Sequence, residues 1–400
     1  MTMLHVPTLS PARRLALLRL LVSVVAVLSA DVWHAPALMA LHEPGLVSVA
    51  VALRAVVIAS GVCAAAGLWT TMSTSVLTLS LLGLLGLVQR QGTPIHVHHL
   101  VWCAALVAVA RAGRAWSIDA WRRDRVGSVA SNDDGDDGAV RAAAVVLGAV
   151  YFWPGLHKVL DAASPFLDGD ALVRLVRLKA SEAHAEVRFN LDAHPTLLLV
   201  GGWLVVTGEL AVLPLVLLGR ARLAGVVVVA LHASFTVVLH MPYTVLWIFA
   251  LVFALVPSSS SSTSRAVAAI AVFIVVGASV FGVRGEVKGW PFACYPTFSS
   301  PVPTSIRVLR VQVDRGDAAG FVDVDDDAIV PDDLRTPLTF ATRGLSDADD
   351  VERFIAQRRT DPRFANAIAG AHRLRVTAWR RDLGDEHLDG EQLLLDVDLR

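Results

Sequence analysis

Apolar residues are unevenly spread along this chain. From about residue 15 to residue 283 they gather into long runs separated by short polar stretches. Beyond residue 284 they thin out and alternate with polar residues. A bilayer core about 30 Å thick takes about 20 apolar helical residues to cross. Nine runs are candidates: 15–30, 46–68, 73–89, 98–112, 140–158, 195–217, 222–239, 242–256 and 265–283. The first also fits a signal peptide, since Arg13 and Arg14 precede it. The expected architecture is an all-α polytopic membrane bundle of about nine transmembrane helices over residues 1–283. A small extracytoplasmic α+β domain would occupy 284–400. There, alternation at Leu309, Val311 and Val313, and at Leu393, Leu395, Val397 and Leu399, predicts strands. Residues 347–359 and 363–373 predict two short helices, with Asp361-Pro362 as a turn and helix start.

Charge placement orients the expected bundle. With the N-terminus inside, the inner connections hold Arg13, Arg14, Arg111, Arg114, Arg122, Arg123, Arg125, Arg141, Arg220, Arg222 and Arg265. The short outer ones hold only Arg90, while the longer one near 159–194 holds Arg174, Arg177, Lys179 and Arg188. The positive-inside rule then predicts a multi-pass plasma-membrane protein, cytoplasmic at its N-terminus, with the C-terminal domain on the opposite side.

Composition narrows the function classes. With 54% apolar and 18% charged residues and a mean hydropathy of +0.57, the chain is neither disordered nor an ordinary cytosolic enzyme. A net charge of −1 supplies no field for nucleic acid, leaving the lipid bilayer as the expected partner. Cys63, Cys103 and Cys294 form no CxxC, and Cys294 lacks a disulfide partner outside the apolar runs. The Asp-rich stretch 131–138 lacks the terminal Glu of a calcium loop, since Ala144 stands there; it reads as a solvated linker. The stretch 172–179 is amphipathic and suits either an interfacial helix or one packed on the spans. No internal repeat supports a transporter of the inverted-repeat kind.

Ionisable groups inside the spans carry the chemical signal, because each is expensive there. Only three of the 35 cations are lysine: Lys158, Lys179 and Lys288. Lys158 stands at the outer end of the fifth run. A desolvated lysine can lose its proton and act as a general base, which arginine cannot do. The bland alternative is a snorkelling side chain with its ammonium among headgroups. His96, His98 and His99 gather at the entry of the fourth run, with His157 beside Lys158. Their spacing fixes no metal site, so none is predicted. Arg54, Glu209 and His232 fall near mid-depth, and Arg54 with Glu209 is the expected compensating ion pair.

Three segments carry a family resemblance. Tyr151-Phe152-Trp153-Pro154-Gly155-Leu156-His157-Lys158, followed by Phe166-Leu167-Asp168-Gly169, resembles the YF-x-x-G-x-x-K motif of the vitamin K-dependent gamma-carboxylase-like (HTTM) family. Trp116-Ser117-Ile118-Asp119 resembles its W-S-[VI]-D element, and His96 falls where that family has a histidine. Glu209 and the stretch Leu231-His232 to Pro242-Tyr243 resemble its acidic position and its H…[FP]-[SY]-Y region. The resemblance covers residues 12–320 and implies a lipid-soluble quinone partner. Lys158 would be the base that deprotonates reduced vitamin K or another quinol, with O2 and CO2 as co-reactants. His96 and His232 would orient substrate or stabilise developing charge. Glu209 and Arg54 would hold the bundle, with His157 and Asp119 as further motif residues. Departures are plain: His157 replaces a lysine, Pro154 replaces a small residue, and the C-terminal domain is much shorter than in the animal carboxylases. Two other classes stay open: a non-catalytic membrane module whose outer domain binds a partner, and a small-solute transporter.

Overall fold

The computed structural model describes residues 9–30, 43–90, 97–126, 137–160, 166–167, 172–177, 193–239, 244–257, 263–284, 289–292, 305–324, 329, 348–382 and 388–399. All nine expected runs are helical. They form α1 (Pro11–Ser29), α2 (Val47–Ala66), α3 (Thr70–Arg90), α4 (His98–Val109), α6 (Asp137–Leu160), α7 (Pro195–Leu217), α8 (Ala221–Leu239), α9 (Thr244–Leu255) and α10 (Arg265–Arg284). The amphipathic α5 (Ile118–Arg125) lies between the fourth and fifth of these runs. Five helices, α2, α3, α6, α7 and α10, are long and apolar enough to cross a membrane. α4, α8 and α9 are apolar but fall short of that standard in their described residues, and α1 carries Arg13, Arg14 and Arg19. The outward surface fits a lipid environment: Leu28, Leu79, Leu204 and Phe273 are each more than 60% exposed. Soluble monomers do not display apolar surface on that scale.

α6 is the most buried of the five long helices and packs against α1, α4, α7, α9 and α10. Small residues let its neighbours close in. A methyl on Gly148 would meet the Leu213 backbone at 3.1 Å, and one on Gly155 would meet Glu209 Cβ at 2.9 Å. The helix continues through Pro154 without a break. That proline has no N–H to give the Val150 carbonyl.

Polar contacts join the helix ends in an alternating pattern. At one end Arg14 pairs with Asp137, and Arg141 donates to the Pro257 carbonyl at 3.3 Å. At that same end Asp119 accepts from the N–H groups of Trp69 and Thr70 at 3.0 and 2.7 Å. At the other end Arg90 pairs with Glu43 at 2.8 Å, and His157 donates to the Gly282 carbonyl. Asp137 thus departs from the expected solvated linker: it is 2% exposed and bound to Arg14 at the start of α6.

The short helical segment 172–177 packs on the spans. Leu172, Leu175 and Val176 are buried with Phe166, Leu198, Val205, Val206, Leu231 and Phe235.

The C-terminal region holds its own core under a four-stranded antiparallel sheet. Strands β1 (Ser305–Asp314), β2 (Phe321–Asp323), β3 (Arg373–Asp382) and β4 (Leu388–Asp398) run in the order β2-β1-β3-β4. Helices α11 (Ala348–Arg358) and α12 (Pro362–Ala367) precede β3 and contribute Val351, Phe354, Ile355 and Phe364 to the core. Asp361 caps α12 by accepting from Arg363 N–H at 2.8 Å. Two expectations are corrected here. The second helix stops at Ala367 and not at Arg373, and Gly370, at φ +72°, turns the chain into β3, which begins at Arg373. In β4 the alternation slips: Leu394 is buried and Leu393 is 57% exposed, because irregularities between Val376 and Arg380 shift the pairing register.

Candidate active site

Lys158 is fully buried, two residues from the end of α6. It does not snorkel. Its Nζ donates to both carboxylate oxygens of Glu209 on α7, each at 2.6 Å. The Phe166 ring lies 4.7 Å from the same nitrogen. An ammonium taken out of water needs a counter-charge of this kind, and a two-oxygen contact satisfies it best. The expected Arg54–Glu209 pair is therefore not formed. Arg54 sits on α2, which packs on α1 and α3, while Glu209 faces α6. Mid-depth placement on two helices says nothing about which faces meet.

Seven residues before Lys158, on the same face of α6, stands Tyr151. Residues i and i+7 share a helix face, about 10 Å apart along the axis. The Tyr151 hydroxyl and His232 Nε2 share a hydrogen bond of 2.7 Å in a buried setting. Gly155, between Tyr151 and Lys158 on α6, lies against Glu209, so the two polar pairs are neighbours. Thus His232 joins the site one level below Lys158, through Tyr151. Between the two levels Gly155 lets α7 approach.

Next to these pairs an apolar cavity of about 500 Å³ opens between α7 and α8. Phe166, Gly201, Gly208, Leu231 and Phe235 border it. Phe166 connects it to the Lys158 nitrogen, Gly208 precedes Glu209, and Leu231 and Phe235 flank His232, whose ring stands edge-on to Phe235 at 5.9 Å. Leu197 and Leu204, also on its rim, are 57% and 67% exposed, so the cavity reaches the lipid-facing surface.

The remaining expected residues lie elsewhere. His96 falls outside the described residues. His98 is buried against Trp290 and Trp102, and His99 stands edge-on to Phe249, so the two diverge. His157 joins α6 to α10 through Gly282. Asp119 ties α5 to the start of α3. Burial works against its charge, but hydrogen bonds from Thr70 and Trp69 and the nearby Arg123 outweigh that and hold it below the usual carboxylate range. No group of three or more His, Cys, Asp or Glu poised for a metal occurs among the described residues.

Tyr151, Gly155 and Phe166 are the site residues that a scan for ionisable groups passes over. Their signal was their place in the sequence relative to Lys158, at i−7, i−3 and i+8. Gly155 yields a test. Gly155→Ala should cost about 1–3 kcal/mol by wedging α6 from α7, read as a lowered unfolding temperature. Gly201→Ala on the open cavity side should change little, since nothing lies within 4 Å of its Cβ.

No family model matches the chain, and neither does any curated protein or solved structure.

Proposed function

We propose that the protein is an integral membrane enzyme acting on a reduced quinone or a similar lipid-soluble, weakly acidic substrate, with the Lys158–Glu209 pair as its base. The observation that carries this reading is a fully buried lysine, doubly bonded to a carboxylate, beside an apolar cavity that reaches the lipid face. The volume falls within the range of small-molecule pockets. Its lining suits an apolar ring system entering sideways from the bilayer. A bound quinol would supply an acidic hydroxyl and the reducing electrons for O2.

The residues of the chain divide the work. A proton passes from Nζ to Glu209, leaving a neutral amine that accepts the substrate hydroxyl's proton. The restored ammonium then stabilises the substrate oxyanion, and Glu209 holds the transferred proton. Tyr151 and His232 supply a second hydrogen-bonding pair deeper in the bundle. Phe166 borders both the Lys158 nitrogen and the cavity. CO2 addition belongs to the family resemblance and has no dedicated group in this scheme. The proposed topology has nine spans in the plasma membrane, with the Lys158 end and the C-terminal domain extracytoplasmic.

Filling the cavity tests the reading without touching the dyad. The space beside Gly201 is open, so Gly201→Phe projects a ring into it. Reconstituted wild-type protein should consume oxygen when given vitamin K hydroquinone, and the variant should lose at least about tenfold in kcat/KM. Equal rates in the two proteins would discard the cavity as the substrate site.

A further inference from the structure

At the end of the bundle away from Lys158, the turn before α3 and the loop before α5 lock into one joint. Gly67, at φ +67°, lies so close to Ser117 that a methyl there would collide with its Cβ. Asp119 closes the joint from both sides. Its N–H donates to the Gly67 carbonyl at 3.0 Å, and its carboxylate accepts from Trp69 N–H, Thr70 N–H and the Thr70 hydroxyl at 3.0, 2.7 and 2.8 Å. The Ser117 hydroxyl donates to the Gly113 carbonyl at 2.7 Å and accepts from Ala120 N–H at 2.9 Å, capping α5. Arg19, fully buried on α1, fixes the loop from within by donating to the carbonyls of Ala112 at 2.8 Å and Trp116 at 2.5 Å.

The joint maintains an unfavourable backbone. Trp69 and Trp116 adopt φ of +45° and +46°. Bulky residues rarely hold this left-handed conformation, and it persists where surrounding contacts enforce it. Asp119 enforces it at the Trp69 N–H, and Arg19 at the Trp116 carbonyl. What the strained turns present is aromatic surface. Trp69, Trp116 and, on α5, Trp121 are 60%, 49% and 53% exposed. Arg125 lies over the Trp121 ring, 3.8 Å from its centroid. Three half-exposed indoles on one rigid joint exceed the scattered apolar exposure that any surface shows.

The levels of the ion pairs along the helices identify what covers these rings. Arg19 marks the level of the joint on α1. Arg14, five residues earlier on that helix, stands about 7–8 Å farther out at the α-helical rise, and there it pairs with Asp137. In the other direction α3 runs for 21 residues from Thr70 and carries no charge before Arg90, which pairs with Glu43. Along α3, therefore, about 30 Å of uncharged helix separates the tryptophans from the next ion pair. That length matches the hydrocarbon thickness of a bilayer. Tryptophan is enriched at the boundary of this layer, where the ring meets acyl chains and the indole N–H meets headgroups.

We infer that this joint is a membrane anchor, whose three tryptophans dock into the headgroup layer of a phospholipid bilayer and set the depth at which the helices sit. The partner is recognised by its amphipathic boundary, so a zwitterionic lipid suffices. The strain at Trp69 and Trp116 then has a use, because it keeps both indoles on the surface. The anchor is independent of the quinol reading, and either can fail without the other.

The test uses the full-length protein in phosphatidylcholine nanodiscs and reads tryptophan fluorescence. Three quenchers are compared: phosphatidylcholine brominated near the headgroup end of its acyl chains, the same lipid brominated near the chain ends, and aqueous iodide. The chain has 10 tryptophans, so the signal of the anchor is the part lost in Trp69→Phe with Trp116→Phe and Trp121→Phe. That part should be quenched at least about twofold more by the shallow bromines than by the deep ones, as for rings at the hydrocarbon boundary. Iodide should quench it little. If the triple variant loses its cooperative unfolding, Trp121→Phe alone carries the test, and the part it loses should show the same order. Equal or stronger quenching by the deep bromines would put the rings inside the hydrocarbon. Quenching by iodide and by neither lipid would leave them in water, as on a surface kept for another protein. Either result overturns the inference.

Discussion

Lys158→Ala should abolish the proposed quinol-dependent turnover and destabilise the bundle by about 3–5 kcal/mol. Two effects combine in that outcome. Removing a general base costs about 10²–10⁴ in rate. Removing the ammonium also strands the Glu209 carboxylate, which is 4% exposed and gives both oxygens to Nζ. The combination Lys158→Met with Glu209→Leu separates the two. An apolar pair of similar volume leaves no buried charge, so unfolding in a denaturant series should return close to wild type. Turnover should stay absent. Glu209→Gln keeps the shape but leaves the buried ammonium without its counter-charge and cannot take up a proton, so it should lower stability and slow turnover per folded molecule at least about 100-fold. A double variant that still turns over would end the proposal that this pair is the base.

The second large effect is expected at Arg19. Arg19→Met leaves the buried Ala112 carbonyl and the part-buried Trp116 carbonyl without their donor. An unsatisfied buried acceptor costs about 1–3 kcal/mol, so the loss should be at least of that size, with the Trp116 carbonyl adding less because water reaches it. It should appear as a drop in unfolding temperature, with quinol turnover per folded molecule retained, because Arg19 lies at the far end of the bundle from Lys158. Arg19→Lys keeps a charge but not the fork, and should fall between. An unchanged unfolding temperature in Arg19→Met would mean that the loop 112–116 stands without it.

Arg19 also shows where a linear reading stops. It sits inside the first apolar run, and nothing in its neighbours along the chain announces that its partners lie more than 90 residues away. The same limit applies to Glu209. Mid-depth arithmetic placed it level with Arg54, but helix–helix neighbours are decided by which faces pack. The glycine at 155 is what lets α7 present Glu209 to α6. In the C-terminal sheet, β3 was not foreseen as a strand, because its short apolar alternation is interrupted by arginines. Only pairing with β1 and β4 makes it a strand.

The order of apolar runs by itself determined that the chain forms helices long and greasy enough for a bilayer, followed by a sheet-containing region. Burial of apolar surface and backbone hydrogen bonding are local to each run, so periodicity and length suffice to foresee them. The scarcity of lysine likewise singled out Lys158. Tertiary structure alone decided the rest: that its partner is Glu209, that Tyr151 and His232 form a second pair below, and that an apolar cavity adjoins both. Those are contacts between faces of different helices. They depend on rotation, tilt and the small residues that set helix separation, none of which is encoded in the position of one residue along its own segment.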